Sequence, residues 1–250
     1  MTREPAPGTV AMAMSADPTP DPSLAVHGHY VGEAGRAYHA RRFAIPDVAY
    51  DWVARSRARK IAPRVSANDT VVEFGVGHGW NLAALACGRR IGFDLGTHVA
   101  SIVRAHGIDF VERAAELRDG SADVLVCHHL LEHVPDPAET LAELRRVLSP
   151  TGRLLLFVPY ETERRFRRYT DDEPDHHLFS WTPQSLGNLV HDCGFSVDSA
   201  GLGEFGSDRI SAAWACRLRL GEPGFQLLRR LALTLRPARE VRIVATKRNT

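Results

Sequence analysis

From residue 70 onward, short runs rich in valine, isoleucine and leucine alternate with stretches of helical periodicity. This alternation constrains the fold more than any other feature of the 250-residue chain. TVVEFG (70–75), RRIGFD (89–94), IDFVE (108–112), ADVLVCH (122–128), RLLLFVP (153–159), FSVDSAG (195–201) and VRIVATK (241–247) read as strands. Helices are expected over 80–87, near 97–106, over 136–148 and over 183–193. Apolar strands separated by helices predict an α/β protein, a doubly wound sheet covered on both faces.

Other segments stand outside this rhythm. Residues 1–24 are rich in proline, alanine, aspartate and threonine, and are expected to be a disordered tail. Residues 25–64 read as an N-terminal helical cap and 65–250 as the core. Within the core, 160–182 form a polar and aromatic lid, and 204–238 add two helices. The apolar fraction is 44% and the formal net charge +1. That charge disfavours a nucleic-acid partner. Four scattered cysteines, none in a C-x-x-C pair, suit a reducing cytoplasmic location. No apolar run is long enough to span a membrane.

The first strand ends in a bend, VVEFGVGHGWNLAAL (71–85), with glycines at 75, 77 and 79. Glycine reaches positive φ cheaply and leaves no Cβ to block a ligand. In open α/β sheets, ligands bind beyond the carboxyl ends of the strands. A helix start behind the bend would add free N–H groups. The spacing is G-x-G-x-G, with Trp80 near where a dinucleotide motif has its last glycine. Glu73, two residues before the bend, would repel phosphate and suits a cationic or donor group.

Glu73 to Gly79, EFGVGHG, resembles the first motif of the class I S-adenosylmethionine-dependent methyltransferases. Asp94 in GFDLG, residues 122–159, and HLFSWTPQSLGNLVHDCGFSV (177–197) are similar to later elements of the quinone-biosynthesis-like subgroup. The resemblance covers about residues 65–200. It implies a Rossmann-like, seven-stranded, mostly parallel sheet with the last strand antiparallel. It implies S-adenosylmethionine as cofactor, held by Glu73, Gly75, Gly77, Gly79, Asp94 and His128, with Asp94 on the ribose hydroxyls. The family's adenine-binding acid falls near Arg113, with Glu112 beside it, so backbone around Ala114 and Ala115 is the alternative there.

The implied reaction is methyl transfer to a small-molecule acceptor, more readily at oxygen or nitrogen than at carbon. An NAD(P)-dependent oxidoreductase and a non-catalytic nucleotide-binding regulator are the alternatives. A neutral hydroxyl or ammonium acceptor needs a base, and His129, His176 and His177 are the candidates. Lid residues Tyr160, Arg164, Arg168, Tyr169 and Trp181 are candidate substrate contacts. Tyr30, Tyr38 and His39 of the cap are expected to close the site from the other side. His129-x-x-Glu132-His133 also fits a zinc-peptidase pattern. That pattern needs a long helix, whereas DVLVC before it is a strand and Pro135 follows it, so no metal is expected.

Overall fold

The computed structural model describes residues 28–161, 168–171 and 175–248. The expected disordered tail and Arg164 lie outside them. Seven strands form one sheet: β1 (Thr70–Phe74), β2 (Arg89–Phe93), β3 (Asp109–Val111), β4 (Ala122–His128), β5 (Leu148–Pro159), β6 (Phe195–Glu204) and β7 (Arg239–Lys247). Their order is β3-β2-β1-β4-β5-β7-β6. The pairs from β3 to β5 are parallel, and β7 runs antiparallel to both β5 and β6.

The central strands are apolar on both faces because both faces are covered. Phe74, Leu125, Leu154 and Leu156 belong to one buried cluster, and Val71, Val124, Val126 and Leu155 to a second. Fully burying one such side chain is worth about 1.5–3 kcal/mol. Helix α4 (Pro137–Val147) lays Leu141, Leu144 and Val147 into the first cluster. The Asp136 carboxylate caps it by accepting from the Ala138 and Glu139 amides, both at 2.9 Å. Helix α5 (Pro183–Asp192) starts with a capping box between Thr182 and Ser185.

Two expectations about elements change. The helix expected over 80–87 is a run of turns, with Leu82 and Ala83 bonding back to the Gly79 carbonyl. Few residues separate Gly79 from β2, and a helix nucleus that short is not self-supporting. The bend therefore has no helix N-terminus behind it. Strand β5 starts five residues earlier than its sequence pattern, because Leu148 pairs with Ala122 across a register shift.

Helices α1 (Gly32–Arg42) and α2 (Tyr50–Ala58) precede the sheet, and α3 (Ala100–Ala105) follows β2. Helices α6 (Asp208–Arg217) and α7 (Gly221–Leu235) lie between β6 and β7. Ala49, Val53, Trp80, Ala212, Ala215 and Phe225 form a third buried cluster. That cluster joins the segment around α2 to α6 and α7, beside the glycine bend.

Candidate active site

A cavity of about 410 Å³ opens at the carboxyl ends of β1, β2 and β4. Gly75 and Gly77 line it, with φ of +75° and +51°. A Cβ on Gly77 would come within 2.6 Å of the Phe43 ring. Both the conformation and the space there require glycine. Gly79, at φ +78°, faces Ile108 and turns the chain beside the cavity.

Asp94 lines the cavity at the tip of β2. Its two oxygens accept from the Gly77 and Gly96 amides, each at 2.8 Å. A carboxylate offers about four acceptor positions, so capacity remains for a diol. Burial raises its pKa, against the smaller opposing effect of the two amides. Glu73 is fully buried and stands one residue behind the cavity wall. Asn81 Nδ2 donates to its Oε1 at 2.6 Å, and Asn81 is the residue that lines the cavity. Glu73 Oε2 and Asn81 Oδ1 are buried acceptors with no hydrogen-bond partner. Sequence reasoning missed Asn81, which follows the glycine motif in a stretch read as plain helix.

Burial lifts the Glu73 carboxyl to about 8, against a smaller opposing effect of the Asn81 bond. A raised pKa means the folded chain holds a proton that the unfolded chain releases. Stability from this group is full below the unfolded-state value and is lost as pH rises toward 8. Glu73→Gln, which removes the titration, should flatten that loss. Urea denaturation at pH 5 and pH 8 checks this: the variant gains on wild type at pH 8, with a slope of at most about 1.4 kcal/mol per pH unit.

His128 and His129 stand at the tip of β4 and both line the cavity. His129 takes a left-handed backbone, φ +53°, while its amide bonds the Phe157 carbonyl at 2.9 Å. A non-glycine residue there is held against a local cost of about 1–3 kcal/mol. This turn ends the strand and stops the H-x-x-E-H pattern from lying on one helix. Phe205 packs on both rings, with centroids 5.4 and 4.2 Å away.

Behind the histidines is a buried charge cluster. Lys60 Nζ lies 2.7 Å from His128 Nε2 and 2.7 and 2.8 Å from the Glu240 oxygens. Glu240 Oε2 is 3.4 Å from His129 Nε2, and Arg242 Nε donates to Oε1 at 2.9 Å. Burial alone would raise the Glu240 carboxyl, but Lys60 and the two histidines hold it well below its usual range. Burial brings Lys60 down to about 8 and His129 to about 4. The His129 imidazole is thus neutral at physiological pH. The chain's two lysines are Lys60 and Lys247, in a protein that otherwise uses arginine. That rarity was the one sequence signal for Lys60; Glu240 gave none.

Among the described residues, the cavity walls come from segments other than the expected lid. Tyr30, Tyr38, His39, Arg42 and Phe43 form one side. Arg57, Phe205, Ser207, Asp208, Arg209 and Ile210 form the other. Tyr160 and Trp181 pack against the first buried cluster, and Trp181 stacks on Phe179. Arg168 and Tyr169 are exposed, Tyr169 by 88%. These four are not among the lining residues. The sequence suggested a lid by the length of the loop after β5. The main-chain bonds from Leu178 and Phe179 to the Glu132 carbonyl instead dock its end beside β4. His176 and His177 are carried with it and do not line the cavity. His177 Nδ1 binds the Glu161 carboxylate, and the His176 carbonyl accepts from Tyr30 at 3.4 Å. Ala114 is buried, and its carbonyl accepts from Arg146 at 3.1 Å.

A family profile described as a methyltransferase domain matches residues 40–200. The chain belongs to the S-adenosylmethionine-dependent methyltransferase family. A probable S-adenosylmethionine-dependent methyltransferase of Mycobacterium tuberculosis is 32% identical over 177 residues, which is 66% of this chain and 64% of that one. A ubiquinone biosynthesis O-methyltransferase of Hahella chejuensis is 35% identical over 93 residues, 32% of this chain and 39% of that one. The chain thus spans less than two thirds of these curated relatives. Among solved structures, the 1,6-didemethyltoxoflavin-N1-methyltransferase of Burkholderia thailandensis superposes with a TM-score of 0.56 at 19% identity, covering 87% and 86% of the two chains. The [4+2]-cyclase SpnF superposes at 0.53 with 18% identity, covering 79% and 81%. At such identities the likeness shows the fold alone.

S-adenosylmethionine is the cofactor of this family, and the residues present fit it. It carries an ammonium and a ribose diol, both hydrogen-bond donors. The cavity presents acceptors for both: Asp94 and the orphaned Asn81 Oδ1.

Proposed function

We propose that this protein transfers a methyl group from S-adenosylmethionine to the oxygen or nitrogen of a small-molecule acceptor. The cofactor supplies an electrophilic methyl group on a good leaving group. The chain's own residues must hold both reactants in line and exclude water. Asp94 takes the ribose hydroxyls, and Asn81, backed by Glu73, takes the amino group. Gly75 and Gly77 give the close backbone. Arg57, on the same cavity, is paired through Nε with Asp208 at 2.9 Å, which leaves its terminal nitrogens for a carboxylate.

The observation that carries the reading is His129. A neutral imidazole on a left-handed turn at the tip of β4 faces the cavity, with Glu240 behind its Nε2. It is the proposed acceptor of the proton that a hydroxyl or ammonium gives up. Tyr30, Tyr38, Phe43 and Phe205 supply the apolar walls. Arg209, on the same cavity, favours an acceptor with an acidic or other electron-rich group. Four free thiols support a cytoplasmic location.

Calorimetry with S-adenosylhomocysteine and with NAD tests the reading. Micromolar affinity for the sulfur nucleotide and none for NAD is the expected result; preference for NAD returns the glycine bend to the dinucleotide class. Once an acceptor is found, His129→Gln should lower kcat by about 10²–10⁴-fold. The affinity for S-adenosylhomocysteine should stay within a few-fold of wild type.

A further inference from the structure

A second buried cluster lies beside the cavity, and methyl transfer as derived above does not use it. Glu132, His133 and His177 bring one ligand atom each to within 4.8 Å of one another. Glu132 is 1% exposed, and both its carboxylate oxygens are buried without a hydrogen-bond partner. Leaving such a group unmatched is costly, so its surroundings must offer a positive charge or a proton.

The tautomer of His133 follows from its neighbours. Tyr30 Oη lies 2.6 Å from His133 Nδ1 and 2.6 Å from the Asp175 carbonyl oxygen. The phenol has one proton, and the carbonyl can only accept. The phenol therefore donates to Asp175, and His133 Nδ1–H donates to the phenol. Nε2 is left with its lone pair, 3.6 Å from Glu132 Oε1. Two acceptor atoms thus face each other in a dry place. Two ligands on a tetrahedral zinc ion lie about 3.4 Å apart, given bonds near 2.1 Å.

The outer contacts match a metal site as well. Metal-bound histidines give their other ring nitrogen to a carboxylate, carbonyl or hydroxyl, which fixes the ring. His133 Nδ1 is bound to Tyr30, and His177 Nδ1 to Glu161. The Leu178 and Phe179 amides bond the Glu132 carbonyl at 2.8 and 3.2 Å, so main chain alone brings His177 to Glu132. Glu132, Glu161 and Asp175 act on His177 together, while Arg42 is paired with Asp175 at 3.2 Å. The cluster behind His129 differs, since the Lys60 ammonium already serves as its cation.

We propose that Glu132, His133 and His177 form a binding site for one divalent cation of the zinc class, with Tyr30 and Glu161 as outer partners. The two imidazole nitrogens and one carboxylate suit zinc or a neighbouring transition ion better than magnesium. The site is independent of whether methyl transfer is the reaction. It also differs from the H-x-x-E-H arrangement, because His129 turns away to Glu240 and Glu132 is a ligand instead of a base.

The test uses the tag-free full chain, stripped with a chelator and titrated with Zn²⁺ in a calorimeter. Co²⁺ is then added in place of Zn²⁺ and the visible d–d absorption recorded. One equivalent of Zn²⁺ should bind at micromolar affinity or tighter, and Co²⁺ should give a low-symmetry band that Zn²⁺ bleaches. Glu132→Gln and His177→Ala should each weaken binding at least about 10-fold, and Glu161→Gln about 10–100-fold. Circular dichroism and S-adenosylhomocysteine affinity confirm that each variant is folded. Failure to bind Zn²⁺, or equal affinity in all three folded variants, overturns the proposal. The second outcome would mean adventitious binding at thiols or other histidines. In either case Glu132 is matched by a proton shared with His133. Unchanged S-adenosylhomocysteine binding alongside a failed zinc titration leaves the methyltransferase reading standing.

Discussion

Replacing Asp94 with alanine should lower the affinity for S-adenosylhomocysteine by about 100-fold or more, the largest binding effect of any single substitution at this site. Hydrogen bonds to a charged group are worth about 1.5–3 kcal/mol each, and a ribose diol makes two. The substitution also removes the acceptor for the Gly77 and Gly96 amides, so the bend loses the anchor that joins it to β2. Asp94→Asn separates these roles. It keeps one acceptor oxygen and loses the charge, and is expected to fall between alanine and wild type. Calorimetry on both variants decides the matter. Wild-type affinity in Asp94→Ala would exclude this carboxylate from cofactor binding. The methyl-transfer reading would then need a different ribose contact.

The largest stability effect is expected at Glu240. Glu240→Ala leaves Lys60 Nζ buried beside His128 and 4.4 Å from the Phe157 ring, with its counter-charge gone. Breaking one side of a buried pair costs about 3–5 kcal/mol. For a domain of this size each kcal/mol lowers Tm by about 2–4 °C. A fall of roughly 6–20 °C in a thermal melt follows. The double variant Lys60→Met, Glu240→Leu should recover most of it, since apolar replacement of both partners is often neutral. pH supplies an independent check. The folded-state pKa of Glu240 is depressed, so its stabilisation is present above the unfolded carboxylate value and is lost as pH falls through the folded one. Wild type should therefore lose stability on acidification below about pH 4.3. Glu240→Ala should show a flatter acid limb. A Tm change within 2 °C at neutral pH in the single variant would mean that Lys60 finds solvent or sheds its proton at little cost.

The two substitutions probe different layers of one arrangement. Asp94, Gly75 and Gly77 line the cavity. Glu240 and Lys60 stand one layer behind and set the surroundings of His128 and His129. Sequence reading reached the first layer and missed the second for a physical reason. A ligand-facing backbone needs glycine at particular φ values within five residues, and that requirement is local. A buried ion pair between residues 60 and 240 has no local signature at all. Its partners meet because β7 inserts between β5 and β6, which brings residue 240 beside the tip of β4.

The same distinction explains why the described walls of the cavity were not legible in the sequence. The loop after β5 was aromatic and basic, which suits a lid, but composition cannot say where a loop docks. Two amide bonds to the Glu132 carbonyl decide that, and they turn Trp181 into core and His177 toward Glu161. Glu73 shows a finer limit. Its place before the glycines was legible, yet its position behind the cavity wall depended on Asn81, eight positions on, folding back over it.

By itself the sequence determined the α/β alternation, the glycine bend at the end of β1 and the acid at the end of β2. Each is a short-range demand of strand burial or backbone conformation, readable over a few residues. Only the tertiary structure decided which side chains surround the cavity, that His129 is backed by Glu240, and that Glu132, His133 and His177 converge. Those facts are contacts between residues up to 180 positions apart, set by how the strands are ordered and how the cap and the α6–α7 insertion close over their ends.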